Sequence, residues 1–181
     1  MNKKTYWALP VIAILAIAFI VSGCTSSSEK VAEKVTEKAI EKATNGAADV
    51  DLDNNSVTIN TNGGSYQAGD DVKLPDSFPS DIYVISGTIK AAMTQQTNDS
   101  FIVSIETSKS VTEAKTAYEQ EIADNGWTIT TNMLYSGAVT LMAEKSNRTL
   151  GIGISELDGK TTVSINTSTT PADTTATPDD N

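Results

Sequence analysis

From residue 49 to residue 166 the chain alternates apolar and polar residues in short runs, and Asn/Gly-type turns break those runs at short intervals. One stretch takes a helical period instead, Ser110 to Asp124, where Val111, Ala114, Tyr118 and Ile122 recur at helical spacing. Alternation places apolar side chains on one face of a strand, whereas the 3.6-residue period places them on one side of a helix. A chain patterned this way is restricted to an antiparallel sheet with one helix across a face, because each element has a single apolar surface to bury.

The runs can be placed in order. Val50 and Leu52 alternate with Asp49, Asp51 and Asp53; Val57 and Ile59 follow, and Asn62-Gly63-Gly64 turns the chain before Ser65-Tyr66-Gln67. Residues 49–69 therefore read as a small β-meander. Residues 70–81 carry Asp70, Asp71, Pro75 and Pro79 and read as a linker, with Phe78 tucked against the next unit. That unit spans residues 80–166. Strands are expected at 82–93 and 101–107, then the helix with Ser110 as N-cap and Glu113 three residues on, then strands at 127–132, 138–145, 150–155 and 161–166. The expectation is an α+β domain of order β-β-α-β-β-β-β. Residues 167–181, rich in Thr, Asp and Pro, read as a disordered acidic tail.

Upstream lies a tetrapeptide repeat, Glu29-Lys30-Val31-Ala32 through Glu41-Lys42-Ala43-Thr44, closed by Asn45-Gly46. Residues 29–46 read as a charged helix. Its period of four drifts by about 40° per repeat against the helical step of about 100°, so the apolar seam slides round the helix and a long coiled coil is disfavoured. A spacer between membrane and domain fits best. A short self-associating helix is an alternative, and a membrane-surface helix lacks Trp, Phe and Leu anchors.

The N-terminus is of another kind. Lys3 and Lys4 precede an apolar run from Tyr6 to Val21, and Val21-Ser22-Gly23 leads into Cys24, the only cysteine. A basic start, an apolar core and small residues make a secretory signal. The run is too short for a typical spanning helix and contains Pro10. The segment resembles the lipobox of prokaryotic membrane lipoproteins. That resemblance implies a signal peptide at residues 1–23, lipid attachment (diacylglyceryl, palmitate-type chains) at Cys24, a polar tether at residues 24–28, and a place on the extracytoplasmic face of the cell membrane. Leu74-Pro75 and Phe78-Pro79, with Tyr118, Ile122 and Gly126-Trp127, also resemble a pattern in small exported domains of unknown function. That second resemblance brings no activity with it.

Composition narrows the function. The chain holds 13 Lys+Arg, 23 Asp+Glu and no histidine; without residues 1–23 it keeps 11 basic side chains and a formal charge of −12. Such acidity disfavours nucleic acid as a partner. Without histidine, Ser-His-Asp, Cys-His and His-based zinc chemistry are excluded. Asp49, Asp51 and Asp53 have the 1-3-5 spacing of a calcium loop, but Asn54 and Asn60 stand where that loop needs Gly and Glu. An alternating strand with its acids in water is the better reading. Glu106, Glu113, Glu144 and Glu156 are not paired in sequence. Gly151-Ile152-Gly153 fits a strand whose second face admits close approach better than a phosphate loop. Asn54, Asn98, Asn147 and Asn166 open Asn-x-Ser/Thr sequons, expected in turns or at strand ends.

The expectation is a non-enzymatic, lipid-anchored module without cofactor or metal. Its role is structural or protein-binding, with an envelope partner on the sheet face that the helix leaves uncovered. A small-ligand or ion (calcium) sensor is the alternative. The segment Ile82-Tyr83-Val84-Ile85, read as apolar on both faces, is the main reason to expect that the second face needs cover from the meander, a partner or a ligand. The sequence leaves the oligomeric state open.

Overall fold

The computed structural model describes residues 37, 38, 42, 46–53 and 55–169. The signal peptide, Cys24, the tether, most of the charged helix and most of the acidic tail lie outside the described residues. The architecture is α+β. A single antiparallel sheet holds β1 (Ala48–Asp53), β2 (Ser56–Thr61), β3 (Gly64–Gly69), β4 (Thr88–Gln95), β5 (Ser100–Thr107), β6 (Thr128–Tyr135), β7 (Ala138–Lys145), β8 (Arg148–Leu157) and β9 (Lys160–Thr169), and α1 (Val111–Asp124) is the one complete α-helix among the described residues. The spatial order is β1-β2-β3-β4-β5-β9-β8-β7-β6. After β5 the chain crosses the sheet as α1, starts the far edge as β6, and returns by hairpins until β9 pairs with β5.

α1 begins where the sequence places it, because Ser110 and Glu113 cap each other reciprocally: the Ser110 hydroxyl accepts from Glu113 N, and the Glu113 carboxylate accepts from Ser110 N at 2.9 Å. At its other end Asn125 leaves the helix and Gly126 takes φ +74°, a conformation glycine adopts without strain. Ala114, Tyr118 and Ile122 face the sheet, where α1 lies across β6, β7 and β8.

The core fills the space between this helix and the sheet. Val103 and Ile105 of β5, Val139 and Leu141 of β7, Ile152 and Ile154 of β8, and Val163 and Ile165 of β9 are all buried. These are the alternate positions of each strand. The intervening residues form a polar outer face that includes Ser104, Thr140, Gly151, Gly153, Ser164 and Asn166.

Three expectations need correction. First, residues 82–85 form no strand; β4 starts only at Thr88. The lead-in from Leu74 is held on the helix side instead. Phe78 packs edge-on against Phe101, with ring centroids 5.6 Å apart, and Tyr83 against Tyr118 at 5.3 Å. Ile85 N donates to the Tyr118 hydroxyl at 3.4 Å, and Ile82 N donates to Pro79 O at 3.2 Å. Helix and lead-in together roof one face of the sheet. The second face is left unroofed; it is mainly polar, with Met93, Ile102 and Met142 among its residues. Secondly, the meander β1–β3 covers neither face. Its third strand pairs with β4 and extends the same sheet sideways, and only Val50 and Ile59 of the meander are buried hydrophobics. Thirdly, β9 continues through Thr169, so the first residues assigned to the tail belong to the sheet and Asn166 lies within a strand rather than at its end.

Candidate functional site

The buried side chains of the core lie between helix and sheet, so a site is sought at the surface. Two open depressions and one sheet edge are the places to consider.

The first depression, about 690 Å³, lies at the end of the sheet where α1 starts; Glu106, Lys109, Glu113, Glu156 and Lys160 line it. Three of the four carboxylates considered from sequence thus meet in space. Two are already engaged: Glu106 accepts from Lys160 Nζ at 2.6 Å, and Glu113 closes the helix cap. The Ser110 hydroxyl and backbone N–H hold the Glu113 carboxyl below its ordinary pKa, the opposite of what a general acid needs. Glu144 lies apart, on the outer face of β7. Among the described residues no group of three His, Cys, Asp or Glu is arranged to hold a metal ion. Asp49, Asp51 and Asp53 are exposed on alternate positions of β1 around the buried Val50. Asn98, at the end of a short 3-10 helix between β4 and β5, and Asn147, in a turn, are exposed; Asn54 lies outside the described residues.

The second depression, about 630 Å³, lies between the lead-in and the last turn of α1, and is bordered by Leu74, Phe78, Tyr83, Val84 and Glu121. Its shape depends on how the lead-in is fixed. Asp81 accepts from Arg148 Nη1 and Nη2 at 3.0 and 2.9 Å and from Lys145 Nζ at 2.8 Å. The Asp81 carbonyl accepts from Trp127 Nε1 at 3.2 Å, and the Arg148 guanidinium sits 4.8 Å from the Trp127 ring centre. The hydrogen bonds from Arg148 hold the Asp81 carboxyl below its ordinary value, against a smaller opposing effect of burial. Sequence reading did not find this clamp. Asp81 is 46 residues from Trp127, 64 from Lys145 and 67 from Arg148, and the only local signal was the placing of Asp81 directly after the two-proline lead-in.

The edge is the most unusual feature. β6 and β1 are the outer strands of the sheet. On β1, three exposed aspartates stand along the edge, and Leu52 N donates to the Glu37 carboxylate at 2.9 Å. Charges of this kind are how natural sheets prevent unwanted pairing. β6 carries none: its sequence is Thr-Ile-Thr-Thr-Asn-Met-Leu-Tyr, and its last three side chains are 53%, 65% and 77% exposed. Met133 and Tyr135 share the outer face with Met142, while Leu134 pairs with Val139 and points to the helix side. Leu157, also exposed, is near the β8–β9 turn at the same end of the sheet. The strand is held firmly from within, because Asn132 Nδ2 donates to Glu119 of α1, which also pairs with Lys115.

A family model described as START domain-like matches residues 88–176. The match begins at the first residue of β4, so it takes in the helix and the strands that build the core and leaves out the meander and the lead-in. Neither the curated proteins nor the solved structures gave a match. Among the described residues no helix is long and apolar enough to cross a membrane.

Proposed function

We propose that the chain is a non-enzymatic binding module, lipid-anchored at Cys24 on the extracytoplasmic face of the cell membrane, that holds a protein partner in the envelope along its β6 edge. The observation that carries the binding part is the contrast between the two outer strands: one is guarded by carboxylates, the other is uncharged and exposes Met133, Leu134 and Tyr135. An open edge offers unpaired N–H and C=O groups, and exposed apolar side chains add area to bury, which together suit addition of a strand. In this reading residues 29–46 are the helical spacer, and Glu37 bonding to Leu52 is where it meets the sheet. The order β-β-α-β-β-β-β is the unit that presents the edge. The carboxylates at the α1 end serve the cap and an ion pair, and histidine is absent from the sequence, which is why catalysis is left out.

Intact mass and detergent-phase partition of the native protein beside Cys24→Ala test the anchor. The expected result is a chain that starts at Cys24 with added lipid mass, and a variant that loses both. A native protein released unmodified, or one retaining residues 1–23, sinks the anchor. For the edge, Leu134→Lys with Tyr135→Lys should abolish retention of the protein partner; equal retention sinks that part.

A further inference from the structure

The uncharged edge also restricts what can lie on it. We infer that the partner strand is the β6 of a second copy of this chain, joined edge to edge about a two-fold axis so that the two sheets become one. The inference rests on the reading of β6 as a binding edge. Three observations select a second copy.

The first is charge. The mature chain is strongly acidic, so two copies repel over most of their surface. No charged residue occurs between Asp124 and Glu144, a stretch that holds all of β6 and most of β7. Contact centred there brings two copies together without opposing carboxylates. The other outer strand, with Asp49, Asp51 and Asp53, would set like charges against each other.

The second is self-complementarity. A two-fold axis through the Leu134 pair, perpendicular to the sheet, makes the two strands antiparallel and keeps both helices on one side. It sets Leu134 against its own copy on the helix side and Met133 against the partner's Tyr135 on the outer face. All three exposed side chains are then used, on the faces where the β6–β7 register puts them. An isologous contact of this kind closes on itself and yields a dimer, not a fibre.

The third is that the chain's other segments are badly placed to cover β6. The described chain enters at β1, and eight strand spacings separate β1 from β6, about 38 Å. Residues 25–28 as an extended tether (about 14 Å) and 29–36 as a helix (about 12 Å) would together span less than that distance, and they lead to Glu37, which is bonded at β1. The segment after Thr169 is acidic (Asp173, Asp179, Asp180) and is interrupted by Pro171 and Pro178, which leaves six residues, 172–177, with uninterrupted N–H groups.

Disulfide trapping of the full chain in detergent tests the inference, in a Cys24→Ala background so that the introduced thiol is the only one. Residues directly opposite in an antiparallel pair have Cα atoms about 4.5–5.5 Å apart, within disulfide reach. Leu134→Cys should therefore oxidise to a covalent dimer, and Met133→Cys mixed with Tyr135→Cys should give the crossed dimer. Asn60→Cys, exposed on β2, should stay monomeric. Leu134→Lys should raise the dimer dissociation constant at least tenfold by analytical ultracentrifugation, with an unchanged circular dichroism spectrum. Leu134→Cys trapping no more dimer than Asn60→Cys overturns the inference, as does a dissociation constant unmoved by Leu134→Lys. Leu134→Cys with Cys24 retained, its sulfur taken up by the lipid so that the chain stays anchored, separates the two readings in native membranes. Bonding to a different protein there overturns self-pairing and leaves the edge as a binding surface, whereas bonding to nothing overturns both.

Discussion

Replacing Asp81 by Ala should loosen the lead-in without touching the core. The carboxylate accepts three charge-assisted hydrogen bonds at 2.8–3.0 Å from Lys145 and Arg148. Buried bonds of that kind contribute about 1.5–3 kcal/mol each. Here the three side chains are about a quarter to a third exposed, so screening reduces the total towards the range of surface pairs. Removal also leaves two cations beside one ring, since Lys145 and Arg148 both lie over Trp127. We expect a loss of about 2 kcal/mol, or about 6–10 °C in melting temperature for a unit of this size. The main-chain carbonyl that accepts from Trp127 is unchanged by the substitution, so the loss reports on the carboxylate. Its pKa in the folded state is below the ordinary 3.8, chiefly through the hydrogen bonds from Arg148. A depressed folded value means the contribution is complete at neutral pH and disappears as pH falls below 3.8 through the folded pKa. The assay is thermal unfolding by circular dichroism of both proteins along a descending pH series. A difference under about 0.5 kcal/mol at neutral pH would refute the reasoning. So would a difference that does not shrink in acid.

Other expectations can be checked with single substitutions. Tyr118→Phe leaves Ile85 N–H without its partner at a buried site and should cost about 1 kcal/mol in denaturant unfolding. Ser110→Ala removes the N-cap of α1 and should cost about 1 kcal/mol, read as a lower midpoint at constant denaturant slope. Gly64→Ala puts a methyl group 1.9 Å from Thr94 O at φ +154°, so hydrogen exchange should speed up at Ser65–Ala68 while the amides of β5 and β9 keep their protection.

The α+β class could be read from the chain because alternation and capping are local signals. β7 runs over the residues its pattern indicates, and Ser110 with Glu113 marks the start of α1. Residues 82–85 show where local signals fail. Three β-branched residues and a tyrosine favour a strand, but Asp81 is held by Arg148 and Lys145, and Ile85 by Tyr118, all distant in sequence. The pairing of β5 with β9 joins residues more than 50 positions apart, with no local mark of it. The same limit applies to the candidate site. Met133-Leu134-Tyr135 is visible as an apolar cluster, but only the sheet order makes its strand an outer one. Likewise Glu106 gains its neighbour Lys160 only when β9 comes beside β5.

The sideways placement of the meander has a mechanical consequence. β1, β2 and β3 join the rest of the sheet through one ladder, β3 to β4, and they stand between the N-terminal side of the chain and the packed core. A pull on the chain ahead of β1, directed away from the sheet edge, loads the bonds between β1 and β2 one at a time, as a zipper opens. β2 and β3 follow, and little apolar surface is lost, because only Val50 and Ile59 are buried there. Three short strands can thus be paid out and re-formed while β4 to β9 stay folded, making the meander a mechanical fuse for the domain behind it.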